Sequence, residues 1–159
     1  KAGFQIMGDW AKGEFTAAGK VPGVDYYCAP TPSNNGYLYN VDSFIFYKTS
    51  DPEKQEGQKL LAKLMMGKNF QKVFNLYKGS IPARLDVPMD EFDKCAKTSN
   101  SDIKTAGASG GLVPSFAHGM AQGNTMKAAL QDIITEHFNS DMSSVDAANA
   151  LADSVLANM

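Results

Sequence analysis

Five residues of this chain have side chains suited to binding a hydroxylated ligand. An indole offers a flat apolar face for the C–H face of a sugar ring, together with one N–H donor. Carboxylate and ammonium groups make strong, charge-assisted hydrogen bonds to hydroxyls, while amide and imidazole groups supply neutral donors and acceptors. This combination is typical of a carbohydrate pocket, and its members are Trp10, Asn40, Asp42, Lys78 and His118. The ordinary alternatives are a core tryptophan at Trp10 and a hydrogen-bonded loop histidine at His118.

Two of these residues stand in an apolar, aromatic segment, residues 37–48, that reads as a strand broken near Asn40. Asn40 and Asp42 are two positions apart, so on a strand they project from the same face. An ionised carboxylate is costly to bury without partners, and we therefore expect that face to line a polar pocket or to pair the charge. A solvated strand face, or a turn at Asn40, is the alternative.

No catalytic set accompanies these residues. Ser115 and His118 lie three apart, but the chain has no GxSxG elbow to present a nucleophile. A glycosidase needs two carboxylates across the scissile bond, and Asp42 has no carboxylate partner in a matching motif. The glycine-rich segment 107–111 lacks the preceding strand and the following Lys-Ser/Thr of a phosphate loop, and reads as a linker. His137, within a helix pattern, is interpreted as an ordinary, partly exposed residue.

The composition is that of an ordinary globular protein. The 159 residues are 43% apolar and carry a net charge of −2. Only one of the 15 basic residues, Arg84, is an arginine, which argues against a nucleic-acid binder. No apolar run reaches the roughly 20 residues needed to span a bilayer. Cys28 and Cys95 are too far apart for a CxxC motif, which leaves either a disulfide or two buried thiols.

The pattern of elements predicts an α/β chain in which helices outnumber strands. Strands are expected at residues 4–7, 26–29 and 37–48. Helices are expected at residues 11–18, in a pair after Asp51 that is broken by Gly67, at residues 89–106 and twice more before the C-terminus. Some apolar helix faces then have no strand to cover. Because the chain starts at Lys1 with neither an initiator Met nor a signal peptide, we expect a part of a longer protein.

Four motifs in order carry a specific resemblance. They are FQIMGDWA at residues 4–11, YNVD at 39–42, YKGSIPAR at 77–84 and VPSFAHGM at 113–120. The chain resembles the C-terminal portion of a periplasmic sugar-binding protein of an ABC transporter, close to the glucose/mannose-binding branch. The resemblance covers nearly all of the chain. The first motif is shared widely among extracellular solute-binding proteins, and the four together are much more specific.

The resemblance implies two α/β lobes joined by hinge strands, with sugar held in the cleft between them. It assigns residues 1–35 to the hinge and the C-terminal lobe, and residues 36–87 to a segment that crosses into the N-terminal lobe. Residues 88–159 return to the C-terminal lobe and are helical. The family's site residues map onto Trp10, Asn40, Asp42, Lys78 and His118. Further sugar contacts in similar proteins come from an N-terminal portion that this chain lacks.

The function implied is capture of a monosaccharide, with glucose the leading candidate, and delivery to an ABC permease, without catalysis and without a cofactor. The partners implied are the sugar, the permease and the missing N-terminal portion, and no nucleic acid. A periplasmic location is oxidising, which favours a Cys28–Cys95 disulfide. The alternatives are a glycoside-processing enzyme and a structural or chemoreceptor-docking protein.

Overall fold

The computed structural model describes residues 3–32 and 36–158. Within these residues the chain forms six helices and a pair of short parallel strands, which confirms the helix-rich α/β class. In chain order the elements are α1 (Ala11–Ala17), β1 (Tyr37–Tyr39), α2 (Pro52–Met65), α3 (Lys68–Lys78), α4 (Lys94–Ser109), β2 (Leu112–Pro114), α5 (Asn124–Asn139) and α6 (Ser144–Ala157). None of the helices in the described part is long and apolar enough to cross a membrane.

The chain divides into two compact units. Unit 1 comprises the described residues of Lys1–Tyr37 and Val41–Gly111, and unit 2 comprises those of Leu38–Asn40 and Leu112–Met159. The predicted lobe boundaries, residues 1–35, 36–87 and 88–159, stay a prediction. The first of those boundaries lies outside the described residues.

Local sequence signals set the helix ends in unit 1. The Asp51 carboxylate accepts the backbone N–H groups of Glu53 and Lys54, at 2.9 and 3.3 Å, and so caps α2 at its N-terminus. Gly67 separates α2 from α3, as predicted. α3 ends at Gly79, whose φ of 87° lies in the left-handed region that glycine adopts without strain.

Close backbone contact joins α1 to the end of α3. A Cβ atom on Gly79 would lie 2.5 Å from the backbone nitrogen of Gly13, and one on Gly13 would lie 2.7 Å from the backbone oxygen of Lys78. Real Cβ atoms do not come this near to backbone atoms, so the contact requires glycine on both sides.

A small core and two cross-links hold unit 1 together. Val87, Phe92 and Ala96 are buried, and Leu76, Ile81 and Met89 pack against them. Of the two alternatives left open for the cysteines, the structure has the disulfide, with the Cα atoms of Cys28 and Cys95 5.6 Å apart. The second cross-link is an ion pair between the buried Lys12 and Asp93, 2.9 Å from Nζ to Oδ2.

Unit 2 combines a strand pair with a helical hairpin. The backbone N–H of Ser115 donates to the carbonyl of Tyr39 at 2.8 Å, which extends the pairing of β2 with β1. α5 packs against α6, and the ring Nδ1 of His137 lies 2.8 Å from the carbonyl oxygen of Met142 in the connection. The Ser143 hydroxyl caps α6 by accepting the N–H of Asp146.

The strand predictions were mostly wrong. Residues 4–7 are irregular, residues 26–29 contribute only an isolated bridge at Tyr26, and the strand expected at 37–48 ends at Tyr39. A strand needs a neighbour to accept its hydrogen bonds, and the described chain pairs only β1 with β2. The side chains of these segments remain exposed, 96% for Phe4, 86% for Ile6 and 77% for Ile45.

Two further predictions, on the start and the end of α4, were wrong. Its N-cap is Asp93, whose carboxylate accepts the N–H of Ala96 at 2.8 Å, so the helix begins later than the residue 89 expected. Residues 107–109, read as a flexible linker, form its last turn, and the end comes at Gly110 in the left-handed conformation. Ala106 and Ala108 flank Gly107, and the high helix propensity of alanine overrides one glycine.

Candidate functional site

Asp42 and Lys78 contact each other directly in unit 1. The Lys78 ammonium donates to Oδ2 of Asp42, which gives the carboxylate the paired charge that its position predicted. Lys78 is the last residue of α3, where the helix dipole favours a cation. Its Nζ also lies 5.8 Å from the centroid of the Phe74 ring, within the range of a cation–π contact.

An apolar hollow of about 500 Å³ lies beside Lys78. Phe70 and Phe74 stack there with ring centroids 5.5 Å apart, and Phe44 meets Phe74 edge-on at 6.5 Å. Apart from Lys78, its lining side chains are apolar or aromatic. That lining suits an apolar packing partner better than a hydroxyl-rich ligand.

Trp10 sits at the N-terminus of α1 with its ring folded over Gly8. A Cβ on Gly8 would lie 2.1 Å from the indole, so only glycine leaves room for this orientation. The neighbouring Asp9 accepts the backbone N–H of Ile81 at 3.0 Å, in the loop that follows α3. Through Asp9 and the α1–α3 contact, the segments that carry Trp10 and Lys78 are joined within unit 1.

Asn40 and Asp42 do not share a strand face. β1 ends at Tyr39, and Asn40 belongs to unit 2 while Asp42 belongs to unit 1. The expectation of one polar face on a continuous strand is therefore wrong. Its physical reason is the short pairing of β1 with β2, which ends after three residues on each side.

Asn40 and His118 each follow the end of a strand in unit 2. Asn40 comes directly after β1, and His118 lies four residues after β2. Because the two strands are parallel neighbours, their carboxyl ends meet at the same edge of the sheet. In parallel α/β sheets this edge is where ligands bind.

A closed turn fixes the backbone around His118. Met120 donates its N–H to the carbonyl of Ser115 at 3.0 Å, and Gly119 donates to that of Phe116 at 2.9 Å. Gly119 has a φ of 73°, a conformation that glycine adopts freely. The Oγ atom of Ser115 lies 2.7 Å from the His118 Nδ1 atom.

This chain matches only part of the length of the known proteins that are similar to it. No protein-family model matches it. It is 44% identical over 156 residues to a probable sugar-binding periplasmic protein of Brucella suis biovar 1, which covers 98% of this chain and 37% of the relative. A probable sugar-binding periplasmic protein of Rhizobium meliloti is 42% identical with the same coverage. An uncharacterized ABC transporter extracellular-binding protein of Pyrococcus horikoshii is 36% identical over 86% of this chain and 30% of the relative.

Over nearly all of its length the chain is similar to periplasmic solute-binding proteins of ABC transporters. It corresponds to a C-terminal portion of such a protein and spans about 37% of the length of the relatives from Brucella and Rhizobium, so the resemblance and the periplasmic location are confirmed. The relatives are named as binding proteins and not as enzymes.

Sequence reasoning missed Asp9. Burial raises the pKa of its carboxyl above the ordinary value, and the N–H of Ile81, Lys12, Ser80 and Lys78 oppose that rise in part. The signal was available, because Asp9 stands between Gly8 and Trp10 in the first motif. Its burial depends on the α1–α3 contact and could not be inferred from the motif.

The Lys12–Asp93 pair was missed as well. The partners are 81 positions apart, and neither lies in one of the four motifs. The Asp93 pKa is lowered: burial, the largest single influence, raises it, but the hydrogen bond from Lys12, the N–H of Ala96 and the positive charge together outweigh it. Within the described residues no group of three or more His, Cys, Asp and Glu is placed to hold a metal ion.

Proposed function

We propose that this protein captures a monosaccharide, glucose before others, and presents it to an ABC permease. The observation that carries the proposal is the position of Asn40 and His118 after the carboxyl ends of adjacent parallel strands. The printed names of the Brucella and Rhizobium relatives support a sugar as the ligand class. The name of the Pyrococcus relative supports an ABC transporter as the setting.

Asp42 and Lys78 supply the charged hydrogen bonds in this proposal. A carboxylate accepts from sugar hydroxyls, an ammonium donates to them, and bonds of both kinds are stronger than neutral ones. The two groups form an ion pair with side-chain exposures of 29% for Lys78 and 62% for Asp42, so both side chains can be reached by a sugar hydroxyl.

Trp10, Asn40 and His118 supply the remaining groups. The indole face of Trp10 suits the C–H face of a pyranose. Asn40 offers both a donor and an acceptor, which matches the dual character of a hydroxyl. No bond is made or broken in this function, so the residues need only bind the sugar.

The part of the relatives' length outside this chain is the proposed partner of the exposed apolar faces. On α2 and α3, Leu60 and Leu64 are each 60% exposed and Tyr77 is 81% exposed. Contiguous exposed apolar surface of this kind is typical of an interface. We propose that the N-terminal portion of the protein covers it, as the helix-rich pattern predicted.

Calorimetry on the intact solute-binding protein tests the function. Glucose, mannose, galactose and maltose are titrated separately, and the expected result is saturable binding of a monosaccharide with no turnover of a glycoside. Failure of every sugar to bind would overturn the proposal. Hydrolysis of an aryl glycoside would favour the enzyme alternative.

Asp42→Ala tests the site. The variant loses a charge-assisted bond and leaves Lys78 without its partner, so the affinity should fall by about 1.5–3 kcal/mol, roughly 10- to 150-fold. Glu56→Ala is the control, because Glu56 and Lys59 form an exposed pair on α2 at 3.6 Å. An unchanged dissociation constant in Asp42→Ala, with sugar bound normally, would remove Asp42 from the site.

A further inference from the structure

Ser115 is a polar residue that the proposed function leaves without a role. It is the first residue after β2 and is only 3% exposed, whereas His118 is exposed. In the described part of the chain, the hydrogen-bond partner of its hydroxyl is Nδ1 of His118, at 2.7 Å. A buried serine whose hydroxyl is hydrogen-bonded to an exposed imidazole is placed to hold that ring in one orientation.

The direction of this hydrogen bond follows from the burial of Ser115. A hydroxyl has one proton to donate, and a buried hydroxyl that donates it to no acceptor loses free energy. If Nδ1 carried the ring proton, it would donate to Oγ and leave the serine proton without that acceptor. Donation from Oγ to Nδ1 avoids this loss, and it requires the neutral ring to carry its proton on Nε2.

Backbone hydrogen bonds hold Ser115 and the turn that carries His118 in place. The Ser115 N–H is bound to Tyr39 in the strand ladder, and the Ser115 carbonyl accepts from Met120 across the turn. The serine is therefore anchored on both sides of its side chain. The ring of His118 then has a fixed nitrogen, Nδ1, directed to Oγ.

We infer that Ser115 is a positioning residue that keeps His118 in the Nε2–H tautomer, so that Nε2 donates a hydrogen bond to a hydroxyl oxygen of the bound sugar. This inference rests on the proposed sugar-binding function. The tautomer selects an oxygen acceptor at that point of the ligand. A ligand ammonium group in the same place would find a donor facing a donor.

The first experiment measures the tautomer in the intact, sugar-free protein. The ring nitrogens are observed by long-range ¹H–¹⁵N correlation at a pH where the ring is neutral, and the signals of His118 are those that disappear in His118→Gln. The expected wild-type pattern is a protonated Nε2 and an unprotonated Nδ1. A protonated Nδ1 in the wild type would overturn the inference whatever the protein binds.

The second experiment measures sugar affinity in a double-mutant cycle. Ser115→Ala should weaken binding about 3- to 10-fold, the range expected for one neutral hydrogen bond, and should yield a mixture of tautomers. In a His118→Ala background the same change should have little further effect, because the two residues act through one contact. Ser115→Thr retains the hydroxyl and should restore both the tautomer and most of the affinity.

Ser99→Ala is the control, since its hydroxyl bonds Tyr37 at 2.6 Å in unit 1. It should leave both the tautomer and the affinity unchanged. If the wild type binds sugar and Ser115→Ala binds equally well, the inference is wrong while the proposed function stands. If the wild type binds no sugar, the proposed function and the donor role of Nε2 fail together, and the tautomer spectrum still reports on the Ser115–His118 bond.

Discussion

Unit 1 and unit 2 hold their proposed sugar-binding groups in different ways. In unit 1 the groups are charged: Asp42 pairs with Lys78, and the α1–α3 contact, a disulfide and a buried ion pair connect segments far apart in sequence. In unit 2 the groups Asn40 and His118 are amide and imidazole, and the contacts around them are a strand ladder and a turn of six residues.

The difference separates two sources of recognition. A charged pair makes strong bonds to hydroxyls in many orientations, so its contribution depends on the charges staying close. A neutral donor or acceptor is weaker, and its contribution depends on direction. We therefore expect unit 1 to respond mainly to changes in its cross-links and charges, and unit 2 to changes in local geometry.

Removal of the disulfide should have the largest effect. The bond joins residues 67 positions apart, both in unit 1, so in the chain-entropy estimate Cys28→Ser with Cys95→Ser should lower the free energy of unfolding by about 4 kcal/mol. Urea titration of the intact protein measures it. Hydrogen exchange in α2 and α3 reports on unit 1, and hydrogen exchange in α5 and α6 reports on unit 2.

The reduced wild type should match this double variant. Thiol titration of the unreduced, denatured wild type should find the same number of free thiols as in the double variant, and two more would contradict the bond. Equal destabilisation of unit 1 and the α5–α6 hairpin would contradict the difference between the units.

The second-largest effect should come from breaking the buried ion pair between Lys12 and Asp93. Asp93→Asn can still cap α4, since asparagine is as good an N-cap as aspartate, but it leaves the Lys12 ammonium without its counter-charge at 6% side-chain exposure. The expected loss is about 3 kcal/mol in the free energy of unfolding. Asp25→Asn is the matched control, because Asp25 also accepts a backbone N–H but pairs with an exposed Lys20 at 3.6 Å. That change should cost under about 1 kcal/mol.

The pH dependence of this difference has a defined sign. The pKa of Asp93 is lower in the folded protein than in the unfolded chain. The advantage of wild type over Asp93→Asn should therefore be complete above the unfolded value of about 3.9, and should be lost as the pH falls through the lower folded value. A difference that stays constant down to acid unfolding would contradict the charge as its cause.

The α1–α3 contact is tested by two glycines with the same backbone role. Gly79 and Gly110 both end helices of unit 1 in the left-handed conformation, with φ of 87° and 72°. A Cβ at Gly110 meets nothing within 4 Å, whereas one at Gly79 meets the backbone of Gly13. Gly110→Ala should cost about 1–2 kcal/mol from backbone strain alone. Gly79→Ala should cost clearly more and weaken sugar binding as well, and equal costs would show that the helices separate freely.

The helix pair α2 and α3 and its ends followed from local sequence, whereas the bounds of α4 and most of the strands did not. Asp51, Pro52, Gly67 and Gly79 act on their own neighbours, and those helix ends are where the pattern predicted them. A strand depends on a partner elsewhere in the chain, so apolar content at residues 4–7 and 41–48 was not enough to form one.

For the candidate site, sequence supplied residue types and the structure supplied their pairing. The sequence predicted a paired charge for Asp42 on the expectation that its strand face is buried. The side chain is instead 62% exposed, and the identity of Lys78 as its partner depends on how α3 packs. Ser115 was noticed only as a poor nucleophile. Its bond to His118 depends on a turn whose closure no pattern in the sequence indicated.

The smallest effect should come from Asn40, and it completes the comparison of charged and neutral groups. Asn40→Ala removes neutral hydrogen bonds only, so sugar affinity should fall by about 0.5–1.5 kcal/mol, less than for Asp42→Ala. Raising the salt concentration should weaken the Asp42 effect, because salt screens partly exposed charges, and should leave the Asn40 effect unchanged. Asn139→Ala is the control, since that amide donates to the Thr135 carbonyl within α5. Calorimetry at two ionic strengths measures the sugar affinity of all three variants. If Asn40→Ala and Asp42→Ala lost the same affinity with the same salt dependence, the distinction between charged and neutral sugar-binding groups would be wrong.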